Sequence, residues 1–546
     1  MLEVQKQIRV SRIFSVMRDE VAKVSPRKSQ RRANKTSRSR RLTTLQIYFL
    51  VSVLLLTFGF AVEKVTKVNV VSPGGFSLAE DSLGAAGLSM PVASGPTNST
   101  SAWYCTISNK GSTASSPSLE IYNASTTASH IQIFTSLSQA KAKRTITMRP
   151  YATMSIPMTS FEQGQRFSGV TVVGQSGRPV VAESISLGSQ VIKTPCQSTP
   201  GFFWMVTGLY TLARDAANIS VYNPFAAPAV IDVSALSASG EVVPGNLQGI
   251  IVGAGQTRTI NLDRVIPPTA NLAVVVRARS GRVVVGSLQT RADKFAQGVA
   301  VPQTTIRPST FWNFPYVRTS QSSSSAVTVS NPSASVAKVR VRLDTTFNKL
   351  TSALPGAHVT SLMETIPPFS TASVELSGEL AVPSEGVFGV HVRSINGVGV
   401  GVSLSSALNY FGNSIFVEPP STPLYSSKWL IVLSSISSFV PSNPLAVSLR
   451  TKTIDPLAIT SVSTFNQSVL AAKLKVLKGV RKPPNTVHGY SKAASVAPYT
   501  VVSSGILDVK VNKVRPLLLI QADSPLVVQP SYSPNGSMGF FSIPLN

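Results

Sequence analysis

Beyond residue 100 the chain alternates short apolar runs with turn residues, and the apolar positions recur mostly every second residue rather than every third or fourth. ISVYN, AVIDVSAL, RTINL and LAVVVRA are of this kind, and a Gly, Pro or Asn ends each or follows it within five residues. Period-two runs of four to eight residues bounded by such breakers predict half-buried strands. FFWMVT, ISVYN, AVIDVSAL, LQGIIV, RTINL, LAVVVRA and RVVVGSL give seven strands in one stretch of about 95 residues, the pattern of an Ig-like or fibronectin-like sandwich. A propeller blade usually takes only about 40–50 residues, half of this length.

The pattern repeats. The four tryptophans, Trp103, Trp204, Trp312 and Trp429, stand 101, 108 and 117 residues apart. After each of the first three comes a strand ending in Asn, at Asn123, Asn223 and Asn331, with a looser counterpart at Asn443-Pro444. Next comes a Pro or Gly turn at Pro150, Gly253, Pro367 and Pro498, followed by a Ser/Thr-rich strand. GVTVVGQSGRPVVAES, LAVVVRARSGRVVVGS, FGVHVRSINGVGVGVS and PLLLIQADSPLVVQPS then read as hairpins. Ser176-Gly177, Ser280-Gly281 and Asn396-Gly397 would supply their positive φ angles. Closing segments end at Pro195, Pro302, Pro419 and Pro544. Markers in a constant order predict four tandem β-sandwich modules, at residues 101–198, 199–303, 308–420 and 425–546. The recurrent Trp is expected to plug the core at the first strand, with carbohydrate stacking as its alternative role.

The N-terminal hundred residues have a different pattern. Leu45 to Val62 reads LQIYFLVSVLLLTFGFAV without a charge, about 27 Å of helix at 1.5 Å per residue. Residues 1–43 carry 13 Lys/Arg against 3 Asp/Glu. The positive-inside rule makes residues 1–43 a basic cytoplasmic tail, 44–62 a transmembrane signal anchor, 63–100 a Gly/Ser/Pro-rich tether and the remainder extracytoplasmic. A cleaved signal peptide is the rival, but its n-region would be unusually long. The predicted fold class is therefore all-β: four tandem Ig-like or fibronectin-like sandwiches after one N-terminal transmembrane helix, on a single-pass membrane protein.

Cys105 and Cys196 are the only cysteines, and they bracket the first module. Outside the cytoplasm such a pair is expected to be a disulfide. Charge adds little to the fold and something to function. Charged residues are 13% of the chain, and the formal net charge is +27. That surplus favours anionic polymers or lipid headgroups, with nucleic acid excluded by the topology. AAKLKVLKGVRKPPNTVHGYSK in the fourth module holds Lys473, Lys475, Lys478, Arg481 and Lys482 without an acid. It is a candidate polymer or lipid contact, against the alternative of a solvated insertion.

Catalytic signatures are absent from the sequence. His130, His358, His391 and His488 are scattered, and no HExxH, G-x-S-x-G elbow, Walker lysine loop or dinucleotide fingerprint occurs. Glu364 with Glu375, or Glu183 with Asp215, are the carboxylate pairs a glycosidase reading would need, and carboxylates in separate strands are commonplace. No catalytic, cofactor or metal residue is predicted.

WYC at Trp103 to Cys105, the closure Thr194-Pro195-Cys196, Asn223-Pro224 and the GRVVV element from Gly281 to Val285 resemble an uncharacterised actinobacterial family of N-terminally anchored extracytoplasmic proteins. The resemblance covers roughly residues 100–546 and implies a bacterial envelope location, without a mechanism. The expectation is a non-enzymatic envelope scaffold or binding protein that contacts a cell-wall polymer or a protein partner. An envelope enzyme or enzyme accessory acting on glycan or lipid-linked precursors, and a surface adhesin, are its alternatives.

Overall fold

The computed structural model describes residues 101–106, 115–135, 144–161, 169–187, 190–293, 296–319, 323–344, 361–377, 386–410 and 413–419, and the backbone of eight strands between Ser426 and Pro544. The chain divides into Met1–Gly75 and Phe76–Asn546, and all of these residues lie in the second part. The predicted span Leu45 to Val62 lies outside them; among the described residues no helix is long and apolar enough to cross a membrane. Among the described residues strands dominate, with three short 3-10 turns beside them, so this part of the chain is all-β with several sheets.

The first repeat runs β1 (Ser101–Cys105), β2 (Ser115–Asn123), β3 (Ser129–Thr135), β4 (Arg144–Met148), β5 (Thr153–Pro157), β6 (Val170–Gly174), β7 (Pro179–Leu187) and β8 (Gln190–Pro195). They form two sheets, β1-β6-β3-β4 and β5-β2-β7-β8. Alternation places Trp103, Cys105, Leu119, Ile121, Ile131 and Ile133 in one core with Cys196.

The second repeat comprises β9 (Phe203–Leu209), β10 (Ala216–Tyr222), β11 (Ala229–Ser237), β12 (Gly240–Val242), β13 (Ile250–Val252), β14 (Thr257–Asn261), β15 (Leu272–Ser280), β16 (Val284–Ala292), β17 (Gln297–Ala300) and β18 (Thr304–Thr305). The third has β19 (Phe311–Thr319), β20 (Ser324–Asn331), β21 (Ala337–Asp344), β22 (Ser361–Ile366), β23 (Ser370–Glu375), β24 (Gly386–Ser394), β25 (Gly401–Tyr410) and β26 (Asn413–Val417). One sheet of each stays separate, β12-β11-β15-β9-β18 and β19-β24-β21-β22. The others fuse into an eight-stranded sheet, β14-β10-β16-β17-β26-β25-β20-β23, through a parallel contact of Gln297 with Ile415.

The expected hairpins are a correction. β6 pairs with β1 and β3, whereas β7 pairs with β2 and β8; β15 and β16, and β24 and β25, part in the same way. The Ser-Gly and Asn-Gly turns therefore carry the chain from one sheet to the other. Gly177, Gly281 and Gly397 do take positive φ, at 73°, 73° and 79°. A left-handed turn residue serves a corner between sheets as well as a hairpin, so local sequence does not separate the two.

In the last repeat the corner disappears. Its strands are β27 (Ser426–Val432), β28 (Leu445–Thr451), β29 (Leu457–Thr464), β30 (Val469–Lys475), β31 (Tyr499–Val501), β32 (Ser504–Val511), β33 (Leu517–Pro530) and β34 (Phe541–Pro544). β33 is continuous through Ser524-Pro525 and pairs with β27 and β29 along its first half and β28 along its second, which joins all eight strands in one sheet.

Repeat markers occupy matching places in the first three repeats. The indole N–H groups of Trp103, Trp204 and Trp312, all buried, donate to the carbonyls of Pro179, Val283 and Val400 just past each corner, at 2.7–2.9 Å. Asn123, Asn223 and Asn331 are also buried. Each Nδ2 donates to the carbonyl four residues on and to two carbonyls of the later turn, such as Ser335, Ile366 and Pro367 for Asn331. Burial removes Trp103, Trp204 and Trp312 from any stacking role on a carbohydrate, while the side chain of Trp429 lies outside the described residues.

The repeats pack on one another. Ala102 and Tyr104, on the outer face of β1, join the second repeat's core. Ile185, Ile192, Leu288, Val299, Leu408 and Val417 form one apolar cluster drawn from three repeats. Beside it, Gln190 of the first repeat accepts from Val299 N at 2.8 Å and donates to Phe416 O at 3.2 Å.

Candidate functional site

The densest group of titratable side chains among the described residues lies where the second repeat meets the third. β9 ends at Leu209 and leads into Tyr210; Asp215 precedes β10; Arg291 sits near the end of β16; Phe416 is on β26 and Glu418 just beyond it. The Arg291 guanidinium carbon lies 4.2 Å from the Tyr210 ring centre and 5.2 Å from that of Phe416, and the two rings meet edge-on at 5.8 Å. Asp215 Oδ2 stands 3.6 Å from Arg291 Nε, and Asp293 Oδ2 accepts from Arg291 Nη2. Two aromatic faces and two carboxylates around one guanidinium hold it far more strongly than a surface ion pair would.

Hydrogen bonds extend the group across the seam. Tyr210 OH donates to Asn271 Oδ1 at 2.6 Å, and Ser405 Oγ on β25 lies 2.8 Å from it. Tyr210 N donates to Gln289 Oε1 at 2.9 Å. Glu418 is buried, and neither of its carboxyl oxygens has a hydrogen-bond partner.

These environments shift proton affinities. Burial pushes Asp215 up to about 6, with Arg291 pulling it back. Burial raises Glu418 well above the carboxylate range, again opposed by Arg291, and lifts the Tyr210 phenol to about 12. Asp215 is thus mostly ionised at neutral pH, whereas burial favours the protonated form of Glu418. The arrangement can store a proton and lock two repeats together. Arg291 is only 11% exposed, so little of it is open to a substrate.

A second buried trio belongs to the first repeat. Lys193 Nζ donates to Glu120 Oε2 and Tyr122 OH, both at 3.3 Å, and Tyr122 OH donates to the same carboxylate at 3.1 Å. Burial lowers the Lys193 ammonium and raises the Tyr122 phenol well above its ordinary value.

Cys105 and Cys196 form the predicted disulfide, with Cα atoms 4.8 Å apart. The buried Glu183 carboxylate lies within 4.8 Å of its sulfurs, but sulfurs bonded to each other are not thiolate ligands. The carboxylates a glycosidase reading would need are divided: Glu183 is on β7 of the first repeat and Asp215 precedes β10 of the second, while Glu364 and Glu375 are in opposite sheets of the third. His130 is exposed with Nδ1 3.0 Å from Thr147 Oγ1, and His391 is buried against the Phe311 ring; His358 and His488 lie outside the described residues. Of the basic candidates, Lys478, Arg481 and Lys482 lie outside them as well. Lys473 and Lys475 are placed by backbone on β30, where Lys473 is in register with Asp508. Sequence reasoning reached Asp215 only as half of a different pair, and passed over Tyr210, Arg291 and Glu418. They are far apart in the chain and share no spacing.

No curated protein is detectably similar to the chain. A family model described as a family of unknown function (DUF5719) matches residues 188–310, which include β9 to β18, the whole strand set of the second repeat.

Proposed function

We propose that the protein is a non-enzymatic scaffold or binding protein of the bacterial cell envelope, anchored by residues 44–62 and presenting four related Ig-like or fibronectin-like sandwich modules outside the membrane. Its partners in this reading are cell-wall polymers or envelope proteins, and its source is an actinobacterium. The observation that carries the reading is the use made of buried charge: Arg291, Asp215, Asp293 and Glu418 lie largely buried where the second repeat meets the third. The family match is compatible with an uncharacterised envelope family.

The test is retention of the full-length protein on isolated cell-wall glycans, anionic vesicles and envelope extract across a salt series. Salt-sensitive retention that weakens when Lys473, Lys475, Lys478, Arg481 and Lys482 are neutralised supports the reading.

One observation favours the enzyme alternative, namely that Asp215 and Glu418 are clustered carboxyls with raised proton affinities. Product release from a glycan or lipid-linked precursor, abolished by Asp215→Asn or Glu418→Gln, would replace the scaffold reading with this one.

A further inference from the structure

Counting from the buried Asn at the end of each repeat's second long strand aligns the next strand. Nine residues after Asn123, Asn223 and Asn331 stand Gln132, Asp232 and Arg340. Four residues before the corner glycines Gly177, Gly281 and Gly397 stand Val173, Arg277 and Arg393. These are the same cross-strand pair in each repeat: Gln132 is in register with Val173, Asp232 with Arg277, and Arg340 with Arg393. The pair is neutral in the first repeat, opposite in charge in the second, and doubly cationic in the third.

The neighbouring positions follow suit. Lys338, Arg340 and Arg342 alternate along β21 on the face turned away from the core, where the first repeat has His130, Gln132 and Phe134 and the second has Val230, Asp232 and Ser234. All three cations and Arg393 are exposed, and none has an ion-pair partner among the described residues. In the second repeat the arginines are paired, Arg277 with Glu241 and Arg279 with Asp232. The one acid of β21, Asp344, closes the strand at its far end. The 16 residues joining β21 to β22 contain Lys349 and no acid.

Like charges directly opposite each other across two strands destabilise a sheet. The fold does not require them here, since the same position accommodates a neutral or an opposed pair in the sister repeats. We propose that this face of the third repeat is a binding site for an acidic polysaccharide, with Lys338, Arg340, Arg342 and Arg393 meeting its carboxylate or phosphate groups. The proposal rests on the envelope-binding reading above and names the class of polymer and its place of contact.

Geometry and chemistry agree on the occupant. Alternate residues of a strand are about 6.6–6.8 Å apart, and adjacent strands about 4.8 Å, so Lys338, Arg340 and Arg342 form a row along β21 with Arg393 beside it, a spacing that a linear polyanion can follow. Guanidinium groups bind carboxylate and phosphate with two parallel hydrogen bonds. Half-exposed Met363, in register with Arg340 on its other side, offers apolar surface to the face of a sugar ring. Single-stranded nucleic acid would call for free aromatic platforms, whereas Phe311 on this sheet is stacked on His391.

The experiment applies full-length protein to immobilised polygalacturonate, with inorganic polyphosphate, phosphatidylglycerol vesicles and single-stranded DNA in parallel. Arg340→Asp installs the second repeat's own charge pattern, so it removes the site while keeping the sheet pair favourable. Arg393→Gln removes one cation, and Arg258→Asp, at an exposed arginine of β14, matches the charge change of Arg340→Asp as its control. The expected result is salt-sensitive retention on polygalacturonate, weakened about tenfold or more by Arg340→Asp, less by Arg393→Gln, and unchanged by Arg258→Asp. Thermal unfolding of Arg340→Asp should begin no lower than that of the parent. Undiminished retention of Arg340→Asp overturns the proposal, as does an Arg340-dependent preference for vesicles or DNA. If cell-wall glycans still bind independently of Arg340, this site alone is wrong. If no envelope polymer or protein binds, the broader reading falls with it.

Discussion

Single side chains define the repeat. The buried asparagines act through a carboxamide that presents N–H to three carbonyl oxygens, a requirement met by no other side chain of that size. Asn331→Ala should lower stability by about 2–4 kcal/mol, and Asn331→Asp by more, because a carboxylate would face three oxygens. Urea unfolding of the two variants checks the order. Trp204→Ala belongs to the same class, with an expected loss of about 3–5 kcal/mol. These residues were legible in the sequence because they recur at constant places and are chemically distinctive. The seam between repeats was not, since Arg291 acquires its meaning only when Phe416 and Glu418 arrive from another repeat.

Asp215 makes that seam sensitive to pH. Its proton affinity is raised to about 6, so between about pH 4 and 6 the folded chain holds a proton that the unfolded chain has released. More protons bound in the folded state means that this residue's contribution falls as pH rises through the window and stays unfavourable above it. Comparing parent with Asp215→Asn by urea midpoints at pH 4.5 and 7 should show the variant relatively more stable at pH 7. An equal difference at both values would contradict the assignment. Burial raises Glu418 in the same sense, so Glu418→Gln should likewise favour the folded chain more at pH 7 than at pH 4.5.

At the scale of elements, the corner glycines separate what the sequence shows from what it conceals. Positive φ was legible, whereas the destination of the following strand was not, because pairing partners come from distant parts of the chain. The corners also differ in their surroundings. A Cβ on Gly281 would stand 2.9 Å from Ala229 Cβ, while one on Gly397 meets nothing within 4 Å. Both substitutions to Ala incur the strain of a left-handed backbone, about 1–2 kcal/mol, and Gly281→Ala should lose measurably more than Gly397→Ala. Equal losses would show that packing at the corner contributes nothing.

Across the whole molecule, the first three repeats are not beads on a string. The fused eight-stranded sheet, the shared apolar cluster and the Gln190 side chain connect them. Gln190→Ala removes the acceptor of Val299 N, so hydrogen exchange should accelerate in peptides covering β17 and β26, far from residue 190 in the chain. Change confined to β8 would mean that the repeats open independently. The order of repeats could be read from sequence; their mutual packing could not, because an outward apolar residue such as Ile192 looks the same whether it meets solvent or a neighbour.

The disulfide has a mechanical meaning as well. It joins β1 to the residue just beyond β8, so tension entering the chain at Cys105 leaves at Cys196 through a covalent bond. The intervening residues, 91 positions of separation, would lengthen by about 300 Å if drawn out at roughly 3.5 Å each. With the sulfurs joined, that slack is never released: the first repeat transmits a pull as a short, stiff link, and stretching begins only in the repeats that follow it.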